Sequence, residues 1–176
     1  MYKKHNSFIY GSYLLLWIIT VAATIRFIRG GIMSGVYVIF TLNSEEYCID
    51  ILNAKEIMRV KGIVINKIPK MPKFIEGIIN LRGDVIPIMN LKTRFSVNDR
   101  KPGKRIIIIE NQKLILGFLV DSIVEVIEIS EEKVIAPPED VTTRCEYVDS
   151  IVCMENRMIF ILNINKVLDL ERSEDK

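Results

Sequence analysis

The sequence predicts a mainly β fold of about ten short strands with only brief helices, arranged as barrels or as a sandwich. Short apolar runs rich in Ile and Val recur through residues 36–162 and are separated by Gly, Pro, Asn and charged pairs. Crossover helices of ordinary length, which a parallel sheet needs, are missing from the pattern. With 176 residues, 49% of them apolar, the chain is long enough for one compact domain or two small lobes and too hydrophobic to be disordered.

The first predicted hairpin pairs Val36–Leu42 with Glu46–Asp50. Apolar residues from Ile51 to Arg59 then follow helical spacing, which predicts a short amphipathic helix. Pro69 and Pro72 indicate an extended linker after this helix.

A second hairpin is predicted from Ile78–Arg82 and Val85–Met89, which flank Gly83-Asp84 as a tight turn. Leu91–Phe95 is expected to form one helical turn behind it.

The second half continues the strand pattern. Arg105–Glu110 contains a continuous Ile run that suits a buried strand and is followed by a strand over Lys113–Val120. Ile123–Ile129 alternates apolar residues with glutamates and is also interpreted as a strand. Two more strands and a closing helix are predicted at Tyr147–Cys153, Arg157–Leu162 and Asn163–Leu170.

The residue types argue against an enzyme. The only histidine is His5, so the rest of the chain lacks an imidazole for a catalytic triad, a zinc site or phosphotransfer. Cys48, Cys145 and Cys153 are odd in number and have no C-x-x-C spacing, which favours a reducing compartment over a disulfide framework. Gly-rich phosphate-binding motifs are also missing, so we expect no catalytic residues, no cofactor and no metal.

The first 32 residues differ from the rest. From His5 to Ile25 no Lys, Arg, Asp or Glu occurs, and as a helix this stretch would reach about 31 Å, enough to cross a bilayer. Two interpretations stay open, a membrane helix and a non-native extension upstream of a start near Met33, and a secretory signal peptide is a weaker third. The body is then 33–170, with lobes divided near 98–103, and 171–176 is a charged tail.

Two charged side chains are candidates for contact with a partner. Arg82 lies at a predicted hairpin end, where its guanidinium can reach across a partner surface, and Glu56 lies on the polar side of the predicted helix. The alternatives are a salt bridge from Arg82 to Asp84 or Glu56, and an i,i+3 pair between Glu56 and Arg59.

Four other residues have structural interpretations first. Gly77 and Gly83 are expected where φ is positive or where the backbone is closely approached. Ile123 and Val126 are expected in the core, unless two β lobes leave them in a groove between them.

The stretch from Gly77 to Leu91, GIINLRGDVIPIMNL, with Arg94-Phe95 after it, resembles the signature block of the CheW family of bacterial chemotaxis coupling proteins. The resemblance covers about residues 36–170 and leaves residues 1–32 outside. Its other parts are the opening hairpin at 40–51, Glu56-Ile57, the strand at 120–129 and the closing strand and helix at 157–168.

The resemblance implies two SH3-like, five-stranded β-barrel subdomains with a few short helices. Members of the family join the cytoplasmic tips of methyl-accepting chemoreceptors to the regulatory domain of the histidine kinase CheA and perform no reaction. A cytoplasmic protein, recruited to membrane chemoreceptor arrays, is therefore implied, with no nucleic-acid partner and with membrane contact only through receptors unless residues 1–32 are an anchor.

The resemblance also assigns partner-binding residues. Glu56, Gly77, Arg82 and Gly83 match positions tied to partner coupling, Ile123 and Val126 match the inter-lobe groove that takes the receptor's helical hairpin, and Pro138, Glu139 and Asp140 match a region of the kinase interface. Two residues depart from the family pattern, since Asp140 replaces an apolar residue of some members and Asn90 replaces the usual Asp.

Two other functions are kept as alternatives. One is a regulatory CheW-like domain of a related coupler or kinase. The other is a small β-barrel that binds nucleic acid, which would need exposed aromatic residues among Lys and Arg. Against it, the chain after residue 32 has a net charge of −2, because the total is +2 and residues 1–32 hold four basic and no acidic residues. The aromatic residues Tyr37, Phe40, Phe74, Phe118 and Phe160 also lie in apolar contexts.

Overall fold

The computed structural model describes residues 34–99, 101–111, 114–139, 145–154 and 156–169. The predictions for residues 1–32, Asp140 and the tail 171–176 lie outside this description. The strands are β1 Ser34–Leu42, β2 Glu45–Asp50, β3 Ala54–Arg59, β4 Ile75–Leu81, β5 Asp84–Asn90, β6 Arg105–Asn111, β7 Leu114–Val120, β8 Ser122–Ser130, β9 Val134–Ile135, β10 Val148–Met154 and β11 Arg157–Leu162. The described helices are α1 Leu91–Arg94 and α2 Ile164–Leu168, with short 3₁₀ turns at Ile51–Asn53 and Glu131–Lys133.

The strands form two sheets, which we call the six-stranded lobe and the five-stranded lobe. Their orders are β8-β1-β2-β11-β10-β9 and β3-β6-β7-β5-β4. Neighbouring strands are antiparallel except for β2 with β11 and β5 with β7. The predicted mainly β fold with two β subdomains is confirmed, and the first subdomain has one strand more than expected.

The chain changes lobe at positions other than the predicted one. It passes from the six-stranded to the five-stranded lobe at Ile51–Asn53 and returns at Asp121. Residues 98–103 instead connect β5 with β6 inside the five-stranded lobe. The division expected at 98–103 therefore does not match the grouping of strands, because strands distant in sequence pair to complete the six-stranded lobe.

Three apolar clusters fill the fold. One belongs to each lobe, and a third, which we call the shared core, contains residues of both sheets. Strand β6 explains why the Ile run is continuous, since Ile107 and Ile109 lie in the shared core while Ile106 and Ile108 lie in the core of the five-stranded lobe. All four are buried, as the sequence predicts for this strand.

Each sheet curls toward a barrel. The edge strands β8 and β9 contribute Ile129 and Val134 to one cluster, and the edge strands β3 and β4 contribute Met58 and Ile79 to another. Two edges of a sheet can share a core only if the sheet bends back on itself. The barrel interpretation is thus favoured over an open sandwich.

The predicted helix over Ile51–Arg59 is wrong. One 3₁₀ turn follows Asp50, whose side chain accepts a hydrogen bond from the Leu52 backbone at 2.9 Å, and β3 begins immediately after it. A register shift between Ala54 and Glu56 places Ala54 and Ile57 on the shared core although they are three residues apart. This bulge produces the spacing that resembles a helix, and pairing with β6 decides the structure.

The other local predictions agree with the structure. Both hairpins, the helical turn at Leu91–Phe95 and the strand at Ile123–Ile129 are present, and Asn90 caps α1 by accepting from the Lys92 backbone at 3.1 Å. Among the helices of the described residues, none is long and apolar enough to cross a membrane.

Candidate partner-binding surfaces

The β4–β5 hairpin presents Arg82 in an unusual backbone conformation. The turn consists of Arg82 and Gly83, because Asp84 already pairs with Leu81 in β5, so the predicted turn is displaced by one residue. Both turn residues have positive φ, 56° and 100°, as a two-residue type I′ hairpin requires. Gly and Asn suit this conformation better than Arg does, so the backbone at Arg82 is strained.

A salt bridge orients Arg82. Its Nη2 lies 3.2 Å from Oε1 of Glu56, so the predicted alternative of a Glu56 salt bridge is what the structure contains. Glu56 lies on strand β3 and not on a helix, so the helical i,i+3 pair with Arg59 does not apply. The Glu56 side chain is 17% exposed and that of Arg82 is 66% exposed. Glu56 thus positions the guanidinium while most of it stays accessible.

Gly77 allows a close backbone approach. Its φ is +152°, and a Cβ at this position would lie 2.4 Å from the carbonyl oxygen of Asn66. Asn66 and Ile78 exchange two backbone hydrogen bonds of 2.8 Å directly beside it. The expectation for Gly77 is confirmed, and its role in the structure is to seat the 60–74 segment on β4.

Ile123 and Val126 lie on one face of β8 because of a second bulge. Ile39 of β1 pairs with Glu125 and Phe40 pairs with Ile123, so Val124 is the extra residue and is exposed. Ile123 and Val126 are partly buried against the shared core. Val36 and Ile57 are partly buried against the same cluster, and we call the four residues Val36, Ile57, Ile123 and Val126 the seam surface.

The remaining predicted residues lie elsewhere. Pro138 and Glu139 follow the edge strand β9 of the six-stranded lobe, and both are exposed. Arg82, Glu56 and Gly77 belong to the five-stranded lobe. The predicted residues therefore occupy the hairpin of one lobe, the seam between the lobes and one edge of the other lobe.

A buried lysine, which the sequence does not reveal as buried, links the two lobes. Lys92 is 2% exposed, and its Nζ donates to Asp99 Oδ2 at 2.9 Å, to Asp121 Oδ1 at 2.8 Å and to the Lys101 carbonyl. Asp121 Oδ2 also accepts from the Asn43 backbone at 2.9 Å, in the turn of the first hairpin. The network ties both lobes together where the chain crosses between them.

Interactions within this network stabilise the charged forms of Lys92 and Asp99. Burial opposes the charge on Lys92, but hydrogen bonds and attraction from Asp121 and Asp99 outweigh it and raise the pKa of the amine. A backbone hydrogen bond from Lys101, together with Lys92, lowers the pKa of Asp99. The partners are 7 and 29 residues from Lys92 in sequence, so no local pattern indicates the contact.

Burial determines the ionisation of two of the described cysteines. Burial raises the pKa of Cys48 to about 12, which keeps it a neutral thiol, and burial also raises the pKa of Cys145. Within the part of the chain that the structure describes, no group of three or more His, Cys, Asp or Glu residues is arranged to hold a metal ion.

Two small β lobes that share a core, with partly buried apolar residues from both and an exposed arginine paired with a glutamate, make up a two-lobed β domain. A family model described as a CheW-like domain matches residues 36–172, so the chain belongs to the CheW family. The chain is 31% identical over 152 residues to a chemotaxis protein CheW of Klebsiella aerogenes, covering 85% of this chain and 90% of the relative. It is 36% identical over 139 residues to a chemotaxis protein CheW of Treponema pallidum, covering 74% and 79%.

A solved structure supports the same assignment. The crystal structure of the scaffolding protein TtCheW from Thermoanaerobacter tengcongensis is similar to this fold with a TM-score of 0.71 and 40% sequence identity. The similarity covers 78% of this chain and 94% of that structure.

Proposed function

We propose that this chain is a non-catalytic chemotaxis scaffold that couples methyl-accepting chemoreceptors to the histidine kinase CheA. The names of the CheW relatives and of the scaffolding structure support the role. The observation that carries the proposal is the seam surface, since it is apolar, partly accessible and built from both lobes. The coupler works in the cytoplasm, at receptor arrays.

The seam surface is the receptor site in this proposal. The tip of a receptor is a helical hairpin, and an amphipathic helix binds by placing its apolar face in an apolar groove. Ile123 and Val126 supply the wall from the six-stranded lobe, and Ile57 supplies the wall from the five-stranded lobe. A helix held in this way keeps the two lobes in one relative position.

In this proposal charged residues orient the bound partner and form the contact with the kinase. The exposed guanidinium of Arg82, held by Glu56, provides directional hydrogen bonds at the edge of the five-stranded lobe. Pro138 and Glu139, which follow β9 of the six-stranded lobe, are proposed together with Asp140 to contact the regulatory domain of the kinase. Two separate surfaces allow both partners to bind at once, which a coupler requires.

Arg82→Asn is expected to weaken coupling without weakening the fold. Asn suits a positive φ better than Arg, so the thermal unfolding midpoint should stay equal or rise, while loss of the guanidinium should reduce assembly of the ternary complex roughly tenfold. The measurement is co-sedimentation of a receptor cytoplasmic fragment, CheA and the coupler, together with receptor control of kinase activity.

The matched control is Lys55→Ala. Lys55 lies next to Glu56 on β3, and the substitution removes its half-exposed salt bridge with Glu110 of β6. It should leave assembly unchanged. Full receptor control of the kinase by Arg82→Asn would contradict the assignment of Arg82, and failure of the wild-type chain to bind both partners would contradict the proposed function.

A further inference from the structure

Four cations gather at the end of strands β3 and β6. Arg59 pairs directly with Arg105 across these strands, and the Val60 backbone donates to the Lys104 carbonyl at 3.1 Å beside them. Lys61 completes the group. In the described part of the chain no salt bridge joins any of the four to a carboxylate, and Arg105 donates only to the Lys104 carbonyl, at 3.2 Å. Like charges placed opposite one another in a sheet repel, so the pair is suited to an anion from outside the chain.

The arginine pair lies on the same strand face as Ile57 of the seam surface. Side chains two residues apart on a strand share a face, so Arg59 lies on the face of Ile57, and Arg105 lies on the face of Ile107 in the shared core. Arg105 also pairs with Val120, and the chain reaches Ile123 three residues later. The arginine pair therefore lies on the strand face that carries Ile57, at the end of β6 next to the point where the chain leaves β7 for β8.

We propose that Arg59 and Arg105 bind carboxylates of the helical segment that occupies the seam surface. The inference rests on the proposed function and specifies the chemistry of that partner. Two strand residues span roughly 6.6 Å and one helical turn rises about 5.4 Å, so an acidic residue one turn from the apolar anchor over Ile57 reaches the guanidinium pair. Each guanidinium can hold a carboxylate with two parallel hydrogen bonds.

A helical protein segment suits this surface better than nucleic acid. The cations adjoin an apolar seam, whereas nucleic acid is bound by extended basic surfaces with stacking aromatic residues. An amphipathic helix with a carboxylate at one end matches both halves of the surface. Its acidic residue fixes the direction in which the helix lies in the seam.

The test uses single charge reversals and a purified helical tip fragment of a chemoreceptor. Arg59→Glu and Arg105→Glu should each weaken binding of the fragment about tenfold. The affinity of each variant for the fragment should also fall less than that of the wild type when the salt concentration is raised from about 0.05 to about 0.5 M. Each reversal also turns a repulsive cross-strand pair into an attractive one, so thermal stability should not fall. Lys67→Glu makes the same change of charge on the exposed 60–74 segment and should bind like wild type.

The outcomes separate the two proposals. If the wild-type chain does not bind the fragment, the proposed function fails. If the wild-type chain binds and both arginine variants keep its affinity and its salt dependence, the carboxylate inference alone is overturned. It is also overturned if Lys67→Glu weakens binding as much as the arginine variants, or if a mixed-sequence oligonucleotide binds the wild-type chain more tightly than the fragment does.

Discussion

Lys92→Met is expected to lower the free energy of unfolding by about 3 kcal/mol, the lower end of the range for breaking a buried ion pair. Methionine replaces the length of the side chain but leaves Asp99 and Asp121 without their cation. The side chains of these acids are 10% and 22% exposed, so water compensates only part of the loss. Equilibrium unfolding in denaturant measures the change.

The matched control for this prediction is Lys55→Met. Lys55 Nζ lies 2.7 Å from Glu110 Oε2, but both side chains are about half exposed, so its removal should change stability by less than about 1 kcal/mol. A Lys92→Met protein as stable as Lys55→Met would show that the buried network contributes nothing net to the fold.

The same network gives stability a defined pH dependence. The pKa of Asp99 is lowered from its ordinary value of 3.8 in the folded chain, so its contribution is present above that value and is lost as the pH falls through the folded-state pKa. The pKa of Lys92 is raised from 10.5, so its contribution is present below that value and is lost as the pH rises through the folded-state pKa. The stability difference between wild type and Lys92→Met should therefore be constant near neutral pH and shrink at both extremes.

Gly77→Ala is expected to destabilise the fold by about 2–4 kcal/mol, through backbone strain and the loss of hydrogen bonds. The new methyl group would lie 2.4 Å from the Asn66 carbonyl oxygen and 2.9 Å from Ile65 Cγ2. Backbone cannot yield as a side chain can, so the paired hydrogen bonds of Asn66 and Ile78 should break. Hydrogen exchange of these two amides, measured beside thermal unfolding, reports the change directly.

Gly83→Ala separates the effect of space from that of backbone angle. Gly83 also has positive φ, but nothing lies within 4 Å of its added Cβ. The free energy of unfolding of Gly83→Ala should fall by only about 1 kcal/mol, which is the cost of holding Ala at a positive φ. If Gly77→Ala and Gly83→Ala lost equal amounts of stability, the close backbone approach at Gly77 would be contradicted. Because Gly77 supports the fold, a coupling defect in a Gly77 variant has to be corrected for the amount of folded protein.

Sequence patterns predicted elements whose partners lie nearby. The hairpins follow from turn residues between apolar runs, and the expected helical turn at Leu91 is present, with the cap at Asn90 added by the structure. The interpretation of residues 54–59 was wrong because a bulge in β3 gives strand residues a helical spacing, and only pairing with the distant β6 reveals the strand. Hydrogen-bonded neighbours decide β structure more than local preference does.

The residues of the candidate surfaces also fall into those that the sequence predicted and those that only the structure revealed. Arg82 was predicted as an exposed hairpin residue with Glu56 as its possible partner, and the structure adds the positive φ that sets Arg82 apart from an ordinary turn residue. Lys92 and the opposed arginines Arg59 and Arg105 were not indicated by the sequence. A lysine or an arginine has the same local pattern whether it lies in solvent, in a buried network or opposite another cation.

By itself the sequence determined the β-rich character of the chain, the order of most strands and the resemblance to the CheW family, because alternation, turn residues and motif letters are local properties. The tertiary structure alone decided where the chain changes lobe, which faces meet in the shared core and which charges lie together. Those features depend on pairing between strands such as β2 and β11, which are separated by more than a hundred residues. Contacts over such distances result from the packing of the whole fold, and a sequence read in short windows does not contain them.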